Sequence, residues 1–126
     1  MSGVLVDTSV WSDHFRRGNQ TLVDLLTADQ VYCHPMVISE IACGTPPERS
    51  RTIAFMGLLH QAQQASHAEV LELIEREDLF GQGCGLVDIM LLASTMLTPG
   101  LRLWTADKRL SLLAQRFGVC HNAPIH

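Results

Sequence analysis

Val4-Leu5-Val6-Asp7-Thr8-Ser9 is the stretch whose reading decides the fold. Three consecutive apolar residues read as a buried strand. A carboxylate, Asp7, stands where that strand ends, and Thr8 and Ser9 are residue types that cap a helix, here one beginning near Val10-Trp11. A buried strand running straight into a helix is the opening of an α/β unit. In open α/β sheets, ligands sit at the carboxyl ends of the strands. Asp7 is therefore either a simple helix cap or the first member of a site, and the acids further along decide between them.

Outward from that strand, helices and strands alternate. A short helix over Val10 to Phe15 breaks around Gly18-Asn19, and Leu22, Val23, Leu25 and Leu26 then follow at helical spacing. Val31-Tyr32-Cys33-His34 reads as a second strand, ended by Pro35, which suits the start of a helix. That helix runs from Val37 to Cys43, buries Val37, Ile38, Ile41 and Ala42, and stops at Gly44. Pro46-Pro47 opens another, with Glu48 in its first turn, running through Ile53, Met56 and Leu59 to about Gln63. A weak third strand is expected near Gln64-Ala65. Ser66-His67-Ala68-Glu69 is a capping box for a helix carrying Val70, Leu73 and Ile74. Gly81-Gln82-Gly83-Cys84-Gly85 is a flexible loop. It lacks the G-x-G-x-x-G spacing and a preceding strand, which excludes a dinucleotide site. Leu86 to Ala93 is the most apolar helix, with Asp88 in its first turn. Leu101 to Trp104 is a strand, Leu110, Leu113, Ala114 and Phe117 mark a last helix ended by Gly118, and Val119-Cys120 suits a final edge strand. The expected architecture is a single α/β domain over residues 1–126, a three-layer sandwich on a parallel sheet of about five strands.

The 126 residues are 47% hydrophobic and 17% charged, a globular composition with room for a core. No apolar run is long enough to span a membrane, and Met1-Ser2-Gly3 has no basic region ahead of an apolar stretch, so a cytoplasmic protein is expected. Cys33, Cys43, Cys84 and Cys120 show no C-x-x-C spacing and read as buried free thiols. The six histidines form no metal-binding pair. The net charge of −4 is unusual for a nucleic-acid binder. Some basic residues come in small groups, Arg16-Arg17, Arg49 with Arg51, and Lys108-Arg109, whose plainest reading is solvated helix surface.

Four acids stand apart from the solvated ones. Asp7 and Asp107 each follow a strand, and Glu40 and Asp88 each sit on a helix among apolar residues. A charge in such surroundings is costly unless paired or bound to metal, and two carboxylates about 4 Å apart repel by roughly 4 kcal/mol at an effective dielectric of about 20. Hard divalent cations with oxygen ligands remove that cost, and Mg²⁺ keeps waters that substrate phosphates replace. One or two such ions activate water in phosphodiester hydrolysis. Thr8, Ser9 and Thr105 would add hydroxyls beside the ions, or simply form caps and turns. Spacing permits the four acids to converge without requiring it.

Val-Asp-Thr-Ser-Val-Trp at 6–11, Ile-Ser-Glu-Ile-Ala-Cys-Gly at 38–44, Gly-Leu-Val-Asp-Ile-Met-Leu-Leu-Ala-Ser at 85–94 and Leu-Trp-Thr-Ala-Asp-Lys-Arg-Leu at 103–110 resemble the PIN-domain ribonucleases, and more narrowly the VapC toxins of bacterial type II toxin–antitoxin pairs. The similarity covers nearly the whole chain. Each motif alone is weak; four in order are specific. The resemblance implies a PIN fold and a Mg²⁺- or Mn²⁺-dependent endoribonuclease. Asp7, Glu40, Asp88 and Asp107 would be its catalytic and metal-binding acids, with Asp7 and Asp88 in direct contact and Glu40 and Asp107 completing the pocket or orienting water. It further implies homodimerisation, a VapB-type antitoxin inserted near the site, and structured RNA substrates such as transfer RNA. Arg16, Arg17, Lys108 and Arg109 would then steer RNA phosphates. The alternative from another class is a non-catalytic PIN module that binds a protein partner or RNA. Dehalogenase-type and phosphate-receiver readings fail because Asp7-Thr8-Ser9 lacks a second acid and no Asp follows a third strand.

Overall fold

A computed structural model of the chain describes residues 3–123. The elements in order are β1 (Gly3–Val6), α1 (Thr8–Arg17), α2 (Gln20–Thr27), β2 (Val31–Cys33), α3 (Pro35–Ala42), α4 (Arg49–Leu58), β3 (His60–Gln61), α5 (His67–Glu77), α6 (Leu86–Leu97), β4 (Leu101–Trp104) and α7 (Lys108–Arg116). The strands form one parallel sheet in the order β3-β2-β1-β4. Every residue of β1 is buried, so both faces of the sheet are covered, as the apolar run Val4-Leu5-Val6 requires. Leu5 pairs with Tyr32 on one side and Leu103 on the other. Gly3 has a steric purpose: a Cβ there would lie 2.4 Å from the Tyr32 ring.

The chain steps from β1 to β2 to β3 in one direction, and β4 then joins the free side of β1. The switch in direction falls between β1 and β4. Such switch points are where open α/β sheets make their ligand crevices, and the strand ends there carry Asp7 and the Thr105-Ala106-Asp107 segment.

The expected fifth strand is reduced to one parallel bridge. Cys120 pairs with Leu103, with Leu103 N–H donating to the Val119 carbonyl at 2.7 Å and His121 N–H to the Leu103 carbonyl at 2.9 Å. The third strand is at His60–Gln61, not near Gln64-Ala65, because α4 ends at Leu58 instead of running to Gln63. Both strand residues are exposed at the sheet edge, so no apolar alternation marks them. Ala62 and Ala65, beyond the strand, are the buried residues. Glu48 is likewise not in the first turn of α4. It precedes the helix in a left-handed conformation (φ 45°), and its carboxylate takes a hydrogen bond from Arg51 at 2.8 Å.

α6 is buried from Ile89 through Thr95 and is the central helix. It brings two hydroxyls into the core; that of Thr95 donates to the Leu91 carbonyl of its own helix at 2.7 Å, and that of Ser94 joins other elements. The Met36 N–H donates to His34 Nδ1 at 3.0 Å, so the imidazole proton resides on Nε2, which donates to Ser94 Oγ at 3.1 Å. Ser94 Oγ also accepts from Ala65 N–H at 3.1 Å. One hydroxyl thus ties β2, α6 and the segment before α5 together. Of the four thiols, all free, only Cys33 is buried, where burial pushes its thiol up to about 11; Cys43 is exposed and Cys84 and Cys120 are intermediate.

Candidate active site

Asp7 takes its position from the sheet. Its backbone N–H donates to the Trp104 carbonyl at 2.9 Å, which continues the β1–β4 pairing one residue past the strands. The side chain is buried at the start of α1 yet caps nothing. Thr8 and Ser9 are the first helical residues, not caps, and their hydroxyls point to acids. Asp7 Oδ2 accepts from Ser9 Oγ and from Thr105 Oγ1, each at 2.7 Å. Each hydroxyl spends its one proton on Asp7 and accepts a backbone N–H in return. Ser9 Oγ accepts from Ala106 and Thr105 Oγ1 from Asp107, both at 3.0 Å. Asp7 Oδ1 has no hydrogen bond among the described residues.

The capping reading belongs instead to Asp107, whose Oδ1 accepts from the N–H groups of Arg109 (2.8 Å) and Leu110 (3.2 Å) at the start of α7. Glu40 lies on an exposed turn of α3, and its Oε1 accepts from Thr8 Oγ1 at 2.6 Å. Asp88 lies in the first turn of α6, half-buried, and accepts from Gly85 N–H at 3.3 Å.

The four acids share one electrostatic neighbourhood. Burial raises the Asp88 carboxyl above the usual carboxylate range; the Gly85 N–H partly offsets this, and the charges of Asp7, Asp107 and Glu40 raise it further. None of the four is in an ion pair among the described residues, whose salt bridges lie elsewhere. No three His, Cys, Asp or Glu side chains among those residues stand close enough to cage a metal ion by themselves. An ion here would have to be held by one or two carboxylates with water completing its shell, a coordination that Mg²⁺ allows. The side chains of Asp7, Glu40, Asp88 and Asp107, with the Thr8, Ser9 and Thr105 hydroxyls, offer oxygen atoms only. The nearby Cys84 thiol is raised by burial and by Asp88 and Asp107, with Arg109 opposing, so it is no ready ligand.

Over 116 residues, 92% of this chain and 94% of the relative, the sequence is 45% identical to Ribonuclease VapC32 of Mycobacterium tuberculosis, in both strain CDC 1551 / Oshkosh and strain ATCC 25618 / H37Rv. The chain belongs to the VapC ribonuclease family. No family model matches it.

In this VapC-family chain the basic residues expected to steer RNA have separate fates. Arg17 is held by Asp13 at 2.6 Å, with the Asp13 carboxylate buried. Lys108 borders a shallow groove with Thr105, Ala106 and Ser111. Arg109 lies over Gly83, where φ is +83° and a Cβ would come within 2.6 Å of the arginine Cδ. Arg16 lines a groove that begins at Thr8, Ser9 and Glu40. Sequence reasoning missed Gly83 as the seat for Arg109. Its only signal is the glycine-rich loop immediately before Asp88. It also missed Phe15 and the Gly44–Pro47 loop as walls of the Arg16 groove, for which the adjacent aromatic and basic residues at 15–16 are the one cue.

Proposed function

We propose that this chain is a divalent-metal-dependent endoribonuclease, the toxin of a toxin–antitoxin pair, acting on structured RNA. The observation that carries the reading is the gathering of Asp7, Glu40, Asp88 and Asp107 in one neighbourhood with no cation paired to any of them among the described residues; Asp7 and Glu40 are held only by hydroxyls, and the Asp88 carboxyl is raised first by burial and then by the other three acids. Such a cluster is unfavourable alone and becomes favourable around a hard cation. Asp7 Oδ1 and the Asp88 carboxylate would hold Mg²⁺ or Mn²⁺. When bound, the ion supplies a nucleophilic water and neutralises charge on the phosphate. The remaining work falls to the chain. Ser9 and Thr105 lock Asp7 Oδ2, which leaves Oδ1 as the oxygen free to take a ligand. Thr8 fixes Glu40 Oε1, which leaves Oε2 to orient a water and accept its proton. Asp107, anchored through Oδ1 to α7, would present Oδ2 from just past the end of the neighbouring parallel strand β4. The water oxygen adds to phosphorus, one P–O ester bond breaks, and the departing oxygen takes up a proton, giving a phosphomonoester and a free hydroxyl.

The name shared by the relatives supports a VapB-type antitoxin as partner. A homodimer is also proposed. Leu71 and Leu86, 59% and 55% exposed, border one shallow apolar groove of the kind that a second copy covers. No helix among the described residues is long and apolar enough to cross a membrane.

The test is cleavage of total cellular RNA by protein purified free of inhibitor, with Mg²⁺ or Mn²⁺ against a chelator, and new 5′ ends mapped by sequencing. Discrete metal-dependent cuts, absent in Asp88→Asn, are expected. Metal-independent cutting, or cutting by Asp88→Asn at the wild-type rate, would overturn the assignment.

A further inference from the structure

A groove of about 690 Å³ runs outward from the acid cluster between α1, α3 and the loop before α4. At its inner end are Thr8, Ser9 and Glu40. Its walls are Phe15, Ile41 and the Pro46-Pro47 pair, and Arg16 lies along it, exposed and in no ion pair among the described residues. Resting on the nuclease reading above, we propose that this groove is the subsite for one unpaired nucleotide next to the scissile phosphate, its base stacked on Phe15 and its outer phosphate held by Arg16.

The groove is built before any ligand arrives. Phe15 stacks on the buried Trp11 ring at 5.9 Å between centroids, which fixes the plane it presents. The opposite wall is pinned from behind. Arg49 donates to the Ala42 carbonyl at 2.6 Å and to the Gly44 carbonyl at 3.3 Å, and Thr52 Oγ1 donates to the Pro47 carbonyl at 2.6 Å. Two prolines stiffen the loop further. Little ordering entropy is therefore lost on binding. Phe15 also borders a second groove, of about 330 Å³, whose far side carries Phe55, 47% exposed, and Arg51, which is paired there with Glu48 at 2.8 Å. Aromatic faces alternating with guanidinium groups along one path are the means by which proteins hold single-stranded nucleic acid. Unpaired loops are also where structured RNA exposes its bases to proteins. A segment of a protein partner is the competing occupant. A basic peptide would meet Glu40 favourably and Arg16 unfavourably, whereas a nucleotide has an apolar face and an anion that match Phe15 and Arg16 together.

The experiment measures fluorescence anisotropy of a short labelled single-stranded RNA of mixed sequence, and of the same strand in a duplex. It is run in chelator, so that binding is read without cleavage. The wild type should prefer the single strand. Phe15→Leu should weaken that binding by about 5- to 150-fold, the worth of one stacked base, and Phe15→Tyr should restore it. Arg16→Gln, at an exposed position that leaves folding intact, should flatten the dependence of log Kd on log salt by about 0.7. Melting temperatures of all variants are taken alongside. Wild-type affinity and salt slope in both Phe15→Leu and Arg16→Gln would overturn the subsite and leave the groove to a protein partner, without touching the nuclease reading. Conversely, Phe15-dependent binding in a protein that never cuts RNA would retain the subsite and remove the nuclease.

Discussion

Thr105→Val is the substitution that best probes how the site is held together. Valine keeps the shape of threonine and removes only the hydroxyl. Thr105 is buried, donates to Asp7 Oδ2 at 2.7 Å and accepts from Asp107 N–H at 3.0 Å. The first bond is charge-assisted and worth about 1.5–3 kcal/mol; stranding the Asp107 N–H, which is partly open to water, adds about 1 kcal/mol. The expected loss is thus about 2–4 kcal/mol, out of roughly 6–19 kcal/mol for a chain of this length. At about 3–5 °C per kcal/mol, melting falls by around 10 °C. Urea unfolding in chelator measures it. The same substitution in an Asp7→Ala background should cost only the smaller part, because its carboxylate partner has gone. RNA cleavage should fall about 10- to 100-fold, the usual effect of losing a group that orients a metal ligand. Stability within about 0.5 kcal/mol of wild type, or an equal loss in both backgrounds, would refute the claim that Thr105 anchors Asp7.

In chelator, Asp88→Asn should melt higher than wild type. It keeps an oxygen for the Gly85 N–H and removes a charge that burial and three acids disfavour; it should also lose any rise in melting temperature on adding Mg²⁺. Burial holds His34 and His121 below the ordinary histidine range, with the Arg102 charge adding to the effect at His121. The unfolded chain then binds more protons, so their contribution is complete above the unfolded value of about 6.5 and is lost as pH falls below it, by up to about 1.4 kcal/mol per pH unit for each histidine. Urea midpoints from pH 8 to pH 5.5 should decline on the acid side, and a flat profile would contradict the neutral His34 inferred from its bonds. Gly83→Ala should cost about 1–2 kcal/mol for its left-handed backbone, plus the displacement of Arg109. Arg109→Ala should relieve the second part alone, which a double-mutant cycle in thermal melts resolves.

Much of the framework was legible because single residues had single explanations. Val4-Leu5-Val6 is apolar on both faces and is the central strand. Ser66 and Glu69 form the expected capping box, Ser66 accepting from Glu69 N–H at 3.1 Å and Glu69 from Ser66 N–H at 2.8 Å. Sequence reading failed where two forces compete for one residue. Spacing of Ile53, Met56 and Leu59 favours a longer α4, and only pairing with Tyr32 and Cys33 turns His60–Gln61 into a strand. The same limit applies to caps. Asp7 and Asp107 look alike in sequence, each an acid just after a strand and before a helix. Only the two hydroxyls that meet at Asp7 Oδ2, one of them from ninety-eight residues away, turn its side chain from the helix, whereas Asp107 keeps the cap. Order alone never required four acids to meet; the parallel pairing of β1 with β4 brings residues 7 and 107 to one edge, and Asp88 reaches them from the first turn of α6. Cys43 and Cys84 were expected inside because their neighbours are apolar or glycine, yet helix ends and loops expose such positions.

The central claim is that Asp7 and Asp88, within this cluster of four acids, hold a divalent cation, and Mn²⁺ binding measured by electron paramagnetic resonance, without RNA present, tests it most directly. Wild-type protein should remove free Mn²⁺ signal in a saturable way and Mg²⁺ should compete, while Asp7→Asn and Asp88→Asn, both folded by circular dichroism, should lose the binding. Undiminished binding in both variants, or no binding by the wild type at millimolar Mn²⁺, would contradict the account.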